Sequence, residues 1–305
     1  MADSKQLKGI LAAIATNVIF GFSFIFSKTA LSFAEPLVIL AVRFTLAFLM
    51  INLVILCTKT KLTFKNKPNR KLILMGIVQP LLYYIFELYG LSKVSSALSG
   101  VVISLVPILV VILASVFLKE KPTAMQIICT IVSIAGVSGI SIISNDGSKN
   151  HLTGILFLVG AVLCASVFNV LSRGISTYFS PFERTYVMFL IGCISFNILA
   201  VFSCKGNYIS ALASAFSSYE FIIAIIYLSL ISSVLAFILY NYSTTVISSM
   251  QSSSFSNIIT VVTVLAGVII LKENFSVMEY IFCFVTILGV LGTNIFEQSN
   301  LKKRD

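Results

Sequence analysis

Residues 152–172 read Leu-Thr-Gly-Ile-Leu-Phe-Leu-Val-Gly-Ala-Val-Leu-Cys-Ala-Ser-Val-Phe-Asn-Val-Leu-Ser, and none of these 21 positions is charged. About 20 apolar residues, rising 1.5 Å each in a helix, cross the hydrocarbon of a bilayer. Working outward from this run, the chain contains ten such stretches, at about 9–31, 36–56, 71–91, 95–118, 125–143, 152–172, 181–203, 219–243, 246–271 and 277–296. The connections are short, as around Asn145, so consecutive stretches are antiparallel neighbours. The pattern predicts an all-α polytopic membrane protein with about ten transmembrane helices.

Composition agrees. The chain has 305 residues, 58% hydrophobic and 10% charged, whereas soluble domains carry about 25% charged residues. The net charge of +10 does not point to nucleic acid, because the Lys and Arg residues sit in short loops between apolar runs, where they set membrane orientation. Fifteen of them, including Lys59, Lys61, Lys119, Arg173, Arg184 and Lys302, fall on one side, against five on the other (Lys28, Lys93, Lys149, Lys205 and Lys272), with Arg43 inside a run. Both termini are therefore expected in the cytoplasm, and the bilayer itself is a partner. The first run follows Lys5 and Lys8, is long for a signal-peptide core and lacks a clear cleavage site, so it reads as a retained first helix. The polar gaps at Thr58–Arg70 and Lys205–Ser218 are too short for a soluble domain.

No phosphate-binding glycine loop, zinc-protease motif or serine-nucleophile elbow occurs. The six cysteines, at 57, 129, 164, 193, 204 and 283, include no C-x-x-C pair, and His151 is the single histidine. They read as small apolar fillers, and no cofactor or metal is expected.

The two halves of the chain repeat. Leu118-Lys119-Glu120 recurs as Leu271-Lys272-Glu273, an offset of 153 that also pairs Tyr89 with Tyr242, Ser95-Ser96 with Ser248-Ser249, Gly136 with Gly289 and Gly139 with Gly292. Earlier in each half an offset of 145 pairs Pro36 with Pro181 and Ser27-Lys28 with Ser172-Arg173. Five runs per copy is an odd number, so the second copy enters the membrane from the opposite face. Inverted repeats of this kind are typical of secondary transporters, with the substrate near the midplane between the halves.

With Ile19-Phe20-Gly21-Phe22-Ser23-Phe24 in the first run, Pro36 and Arg43-Phe44 in the second, Ser95-Ser96-Ala97-Leu98-Ser99 opening the fourth, and the paired Leu-Lys-Glu motifs, the chain resembles the drug/metabolite transporter superfamily. Within it, the chain is similar to the EamA-type ten-span carriers. The resemblance implies two EamA-type five-helix repeats, 1–145 and 146–305, in a cell (cytoplasmic) membrane. Phe20 stands where the family often has Trp, and Asn274-Phe275 replaces Lys121-Pro122 in the second copy.

Ionisable residues inside spans are costly and are candidates for function. Arg43 lies about 10 Å below the external end of its helix and Glu87 about 6 Å below its own, depths that allow an ion pair. Glu87 has three readings: a cavity carboxylate that binds cationic groups or a coupling proton, a structural partner of Arg43, or a residue snorkelling to the interface. Gln79, Tyr83 and Glu87, spaced by four, share a helical face, with Tyr84 just beside it and Pro80 able to loosen the helix. The ninth run opens with Ser248, Ser249, Gln251, Ser252, Ser253, Ser254, Ser256 and Asn257. Its serines either line a cavity or pack helices closely, whereas Gln251 and Asn257 favour a wet wall. Asn17, Asn169, Tyr240 and Asn241 are similar candidates. The glycine pairs at 136/139 and 289/292 favour close packing of the fifth and tenth helices.

The expected function is secondary transport of a small polar metabolite such as an amino acid, by alternating access, with export favoured. Import or exchange uses the same architecture. A non-transporting scaffold would carry apolar facing surfaces. An intramembrane enzyme would need a catalytic constellation in the bilayer, and none is visible.

Overall fold

The computed structural model describes residues 2–65, 67–118, 124–143, 149–247 and 255–301. Among them there is no strand. The helices are α1 (Ala2–Leu31), α2 (Pro36–Thr58), α3 (Asn69–Gly76), α4 (Tyr83–Leu91), α5 (Ser96–Ile103), α6 (Val106–Leu118), α7 (Ala124–Ile143), α8 (Lys149–Ile175), α9 (Pro181–Ser203), α10 (Tyr208–Phe216), α11 (Tyr219–Ile226), α12 (Ala236–Val246), α13 (Asn257–Ile269) and α14 (Val277–Leu301). Among the described residues, six continuous or kinked helices are long and apolar enough to cross a membrane: Lys5–Leu31, Pro36–Thr58, Asn69–Leu91, His151–Ile175, Pro181–Ser203 and Tyr219–Val246. Shorter apolar helices cover Ser96–Val110, Ile127–Ile140, Asn257–Ile269 and Val277–Gly289. Helix α10 lies in the polar gap that the sequence leaves without an element.

Local chemistry sets the helix ends. Pro36 and Pro181 each open a helix near N1, where the missing N–H costs nothing. Ser180 caps α9 by accepting from Glu183 N, while Glu183 reaches back to Ser180 N at 2.8 Å, a reciprocal capping box. Ser95 accepts from Leu98 N at 3.1 Å at the head of α5. Ser276 and Glu279 repeat the capping box ahead of α14.

The outward faces are apolar. Leu49, Leu53 and Leu56 on α2 and Ile127, Ile131 and Ile134 on α7 are about half or more exposed, each a stripe at helical spacing. A water-facing surface would not carry such stripes; lipid accounts for them, and the protein is a multi-pass membrane protein.

Two spans break in the middle. Gln79 has extended backbone (φ −143°, ψ 118°) ahead of Pro80, between α3 and α4. The face shared by Gln79, Tyr83 and Glu87 is thus not one continuous helical stripe, because Pro80 has no N–H to bond the preceding turn. The helical run from Ser96 to Leu118 also breaks, at Ser104 and Leu105, just before Pro107. A widened, π-helical stretch, Tyr227–Leu235, joins α11 to α12.

Helix contacts recur in matched pairs. Helix α4 packs on α8 and α12 on α1; α6 packs on α8 and α13 on α1; α2 packs on α9, α5 on α13 and α7 on α14. Lys28 Nζ donates to Leu91 O (2.9 Å) and Val94 O (2.6 Å) at the end of α4. Arg173 Nη1 donates to Thr244 O (2.7 Å) and Ile247 O (3.3 Å) at the end of α12. Each cation offsets orphan carbonyls and the negative end of a helix. Glu273 accepts from Ser96 N (2.8 Å), Ser96 Oγ (2.9 Å) and Ala97 N (3.1 Å), so it ties the loop after α13 to the head of α5. Glu120, its sequence mate, lies outside the described residues.

An ion pair joins Lys67 to Glu183 at 2.9 Å. Glu183 also accepts from Thr63 N (2.7 Å) and Thr63 Oγ1 (3.0 Å), latching the 59–68 loop to the head of α9. The carboxylate serves four donors and the lysine is partly exposed, so the two partners are unequal. Glu183→Ala is expected to cost about 2 kcal/mol by loss of the cap and latch. Lys67→Ala is expected to cost about 0.5 kcal/mol. Unfolding titrations of the two variants in one detergent check the ratio; equal losses would count against the capping account.

Candidate functional site

Two adjoining cavities lie near the middle of the helices. The larger has about 550 Å³ of space between atoms, its open mouth included, and is lined by Asn17, Phe20, Gln79, Tyr83, Ile103, Val106, Ala165, Phe168, Asn169, Phe237, Tyr240, Ser256 and Ile259. The smaller is lined by Phe20, Ser23, Phe24, Gln79, Tyr83, Tyr84, Glu87 and Ile259. They share Phe20, Gln79, Tyr83 and Ile259, so the two form one continuous lining. The breaks at Gln79 and between Ile103 and Val106 both face it. Irregular backbone at membrane depth is tolerated where it lines such a space.

The walls are aromatic. Phe168 stacks on Tyr240 with ring centroids 5.4 Å apart, and Phe237 meets Phe20, Tyr84, Phe168 and Phe189 edge-on. The polar groups are few and buried. Gln79 Oε1, Asn169 Oδ1 and Glu87 Oε2 have no hydrogen-bond partner among the described residues. Asn17 Nδ2 is used by Ala13 O at 2.7 Å. Glu87 is 4% exposed, and its Oε1 accepts from Tyr83 Oη at 3.2 Å.

Arg43 does not pair with Glu87. The guanidinium donates through Nε to Ser233 Oγ (3.0 Å) and through Nη2 to Tyr84 Oη (3.0 Å) and Ser232 Oγ (3.2 Å). The Tyr84 ring covers it, 4.3 Å from ring centroid to guanidinium carbon. Tyr84 lines the smaller cavity and Arg43 does not, because similar depth in the membrane does not fix rotation about the helix axis.

The structure places Asn241 in a different cluster, where α8, α9 and α12 meet near Arg184. Its Nδ2 donates to Thr185 Oγ1 (3.0 Å) and its Oδ1 accepts from Ser172 Oγ (3.1 Å). Its carbonyl accepts from Arg184 Nη2. Arg184 also donates to Ser172 O (3.0 Å), Thr244 Oγ1 (3.2 Å) and Thr245 Oγ1 (2.9 Å), and it is fully buried. In the sequence it counts among the loop cations; the fold makes it a clamp across α8, α9 and α12.

Asn257 is buried with neither side-chain atom partnered among the described residues, one position from Ser256 in the cavity wall. Thr260, on the same sequence stripe, instead donates to Gly100 O at 3.0 Å and packs α13 on α5. Gln251 and Ser252, with the serines at 248, 249, 253 and 254, lie outside the described residues. The apolar lining residues Phe168, Ile103, Val106 and Ile259 carry no sequence signal, since Phe and Ile are equally at home against lipid. Phe237 had one, as the repeat mate of Tyr84. Among the described residues no three His, Cys, Asp or Glu side chains gather as a metal site.

A multi-pass helical protein with broken spans around a central, partly polar cavity belongs to the class of membrane transporters. The sequence profile of the EamA-like transporter family matches residues 7–142 and again residues 152–295, and the chain belongs to that family. It is a transporter and not an enzyme. It is similar to the "Uncharacterized transporter YcxC" of Bacillus subtilis, 33% identical with 100% of this chain and 97% of that protein covered. It is also similar to an "Uncharacterized transporter" of Archaeoglobus fulgidus, 25% identical over 93% of this chain and 97% of that one. A solved structure titled "Crystal structure of protein" superposes with a TM-score of 0.67 at 16% identity, covering 95% of this chain and 98% of that chain. That likeness concerns the fold alone.

Proposed function

We propose that this chain is a ten-span secondary transporter built from two inverted five-helix repeats, 1–145 and 146–305, which moves a small polar metabolite of the amino-acid or amine kind out of the cell by alternating access. The cell membrane is its site and both termini face the cytoplasm. Glu87 is the residue through which the substrate or a coupling proton engages. The observation that carries the reading is the central cavity, whose walls come from both halves and hold buried amide and carboxylate oxygens without protein partners.

The packing supports an inverted repeat. Shifting each span by five exchanges the α4–α8 and α12–α1 contacts, exchanges the α6–α8 and α13–α1 contacts, and returns α2–α9, α5–α13 and α7–α14 to themselves. A pseudo-two-fold axis through the three self-paired contacts accounts for that pattern. The widened stretch Tyr227–Leu235 falls, at the 153 offset, opposite the break at Ile77–Leu82. Rocking one half on the other then opens the cavity to each side in turn. With no nucleotide motif in the sequence, a gradient or exchange drives it, and the gradients set the direction.

The test is counterflow in proteoliposomes preloaded with unlabelled amino acids and amines, with labelled members added one at a time, with and without a pH gradient. Transient accumulation of one class is the expected result. A folded protein that accumulates none of them would overturn the proposed substrate class.

A further inference from the structure

We infer that the cavity is built for a small organic ammonium ion, with the cationic end held at Glu87 and the carbon skeleton against the aromatic wall, and that it disfavours ligands bearing a carboxylate. The inference rests on the transport reading above and narrows its substrate class.

Charge is the first reason. Among the described residues lining the two cavities, Glu87 is the sole carboxylate and there is no Lys, Arg or His. A carboxylate on the ligand would enter a low-dielectric space without a cation to receive it, which costs several kcal/mol per ion. The nearby cation, Arg43, is committed to Tyr84, Ser232 and Ser233, and the Tyr84 ring lies across it.

Hydrogen bonding is the second reason. Among the described residues, the lining atoms left buried without a partner are Glu87 Oε2, Gln79 Oε1 and Asn169 Oδ1, all acceptors as placed. Turning either amide over would offer a neutral N–H donor in place of an acceptor, but the Glu87 oxygen accepts in either case. An alkylammonium brings three N–H donors and a full positive charge, and so offsets the burial cost of the carboxylate. The groups facing Glu87 are Tyr83 and Tyr84 from its own helix, with Arg43 of α2 behind Tyr84. None of them supplies a second carboxylate.

Shape is the third reason. Phe20, Tyr83, Phe168, Phe237 and Tyr240 surround the space. Aromatic faces attract cations and cover carbon chains.

The test compares amines with amino acids that share their side chains: putrescine with ornithine, agmatine with arginine, and phenylethylamine with phenylalanine. Binding to the full-length protein in detergent is measured by calorimetry at one pH. At least one amine is expected to bind ten times or more tightly than its amino acid, and the uncharged N-acetylphenylethylamine and N,N′-diacetylputrescine are expected not to bind. Glu87→Gln is expected to weaken that amine at least tenfold. The acetylated ligands keep the question open to measurement even if this variant does not fold. Equal or tighter binding of the amino acids, retained binding of the acetylated amine, or no amine bound at all would overturn the inference. Counterflow of the same pairs separates the two levels: amino acids carried and amines not would leave transport standing and remove the charge preference, whereas no solute carried by folded protein would remove both.

Discussion

Arg43→Met is expected to lower the stability of the protein by about 3 kcal/mol, and adding Glu87→Gln to return most of that loss. Arg43 is 1% exposed and makes three side-chain hydrogen bonds, to Ser233, Tyr84 and Ser232. Among the described residues no carboxylate is hydrogen-bonded to it. Glu87 interacts with its charge electrostatically, with no hydrogen bond between the two. Removing the arginine alone strands Glu87, whose second oxygen already lacks a partner. Removing both charges leaves an apolar side chain and a neutral amide, and the desolvation cost of both ions disappears. The check is a double-mutant cycle in unfolding free energy, in one detergent. A double variant as unstable as the sum of the two single variants would mean that the charges act independently and that Arg43 matters only through its hydrogen bonds.

Gly136→Leu and Gly289→Leu are each expected to remove most folded protein, as read by monodisperse yield after extraction. A Cβ on Gly136 would collide with Thr286 Oγ1 and stand 2.9 Å from Phe282 O; one on Gly289 would collide with Ser133 Oγ and stand 2.7 Å from Cys129 O. The backbone atoms cannot swing aside as the end of a flexible side chain can, so α7 and α14 would have to separate. That contact is held by packing, because in lipid no hydrophobic gain drives helix association. The four residues are mates at the 153 offset, Gly136 with Gly289 and Ser133 with Thr286, so each glycine receives the partner of the other. The two variants should therefore fail to similar degrees, and a Gly136→Leu protein of normal yield would count against this contact as a structural seam. Gly174, with nothing within 4 Å of an added Cβ, is the control position.

Much of the site is legible in the chain because polar residues in apolar runs are rare. Asn17, Gln79, Tyr83, Asn169 and Tyr240 stand out in this way, and the fold gathers them around the larger cavity; Tyr84 and Glu87 line the smaller one. Most of the apolar wall does not stand out, since Phe168 or Ile259 in a span reads equally as lipid contact. Asn241 carries the same signal as Asn169, yet its amide is consumed by Thr185 and Ser172 beside Arg184. A polar residue in a span must find a partner or water, and sequence alone does not say which. Arg43 and Glu87 show the same limit: similar depth is read from residue counts, whereas the intervening Tyr84 ring is a matter of helix rotation.

The sequence by itself determined that this chain is a helical membrane protein with two related halves, because span length, charge placement and a fixed repeat offset are properties of residue order. Apolar run length is a local property, and it places helix starts near Pro36, Ser95 and Pro181, whereas the capping bonds of Ser180 and Ser95 are seen in the structure. Only the tertiary structure decided which buried groups are satisfied and which are left facing the cavity. Ser233 comes to Arg43 across 190 residues of chain, and Glu273 comes to Ser96 across 177. Such partners depend on the relative rotation, depth and break points of packed helices, which sum many weak contacts over the whole bundle. A side chain's own sequence neighbourhood contains none of that information, so Arg184 reads as a loop cation and is in fact a buried clamp.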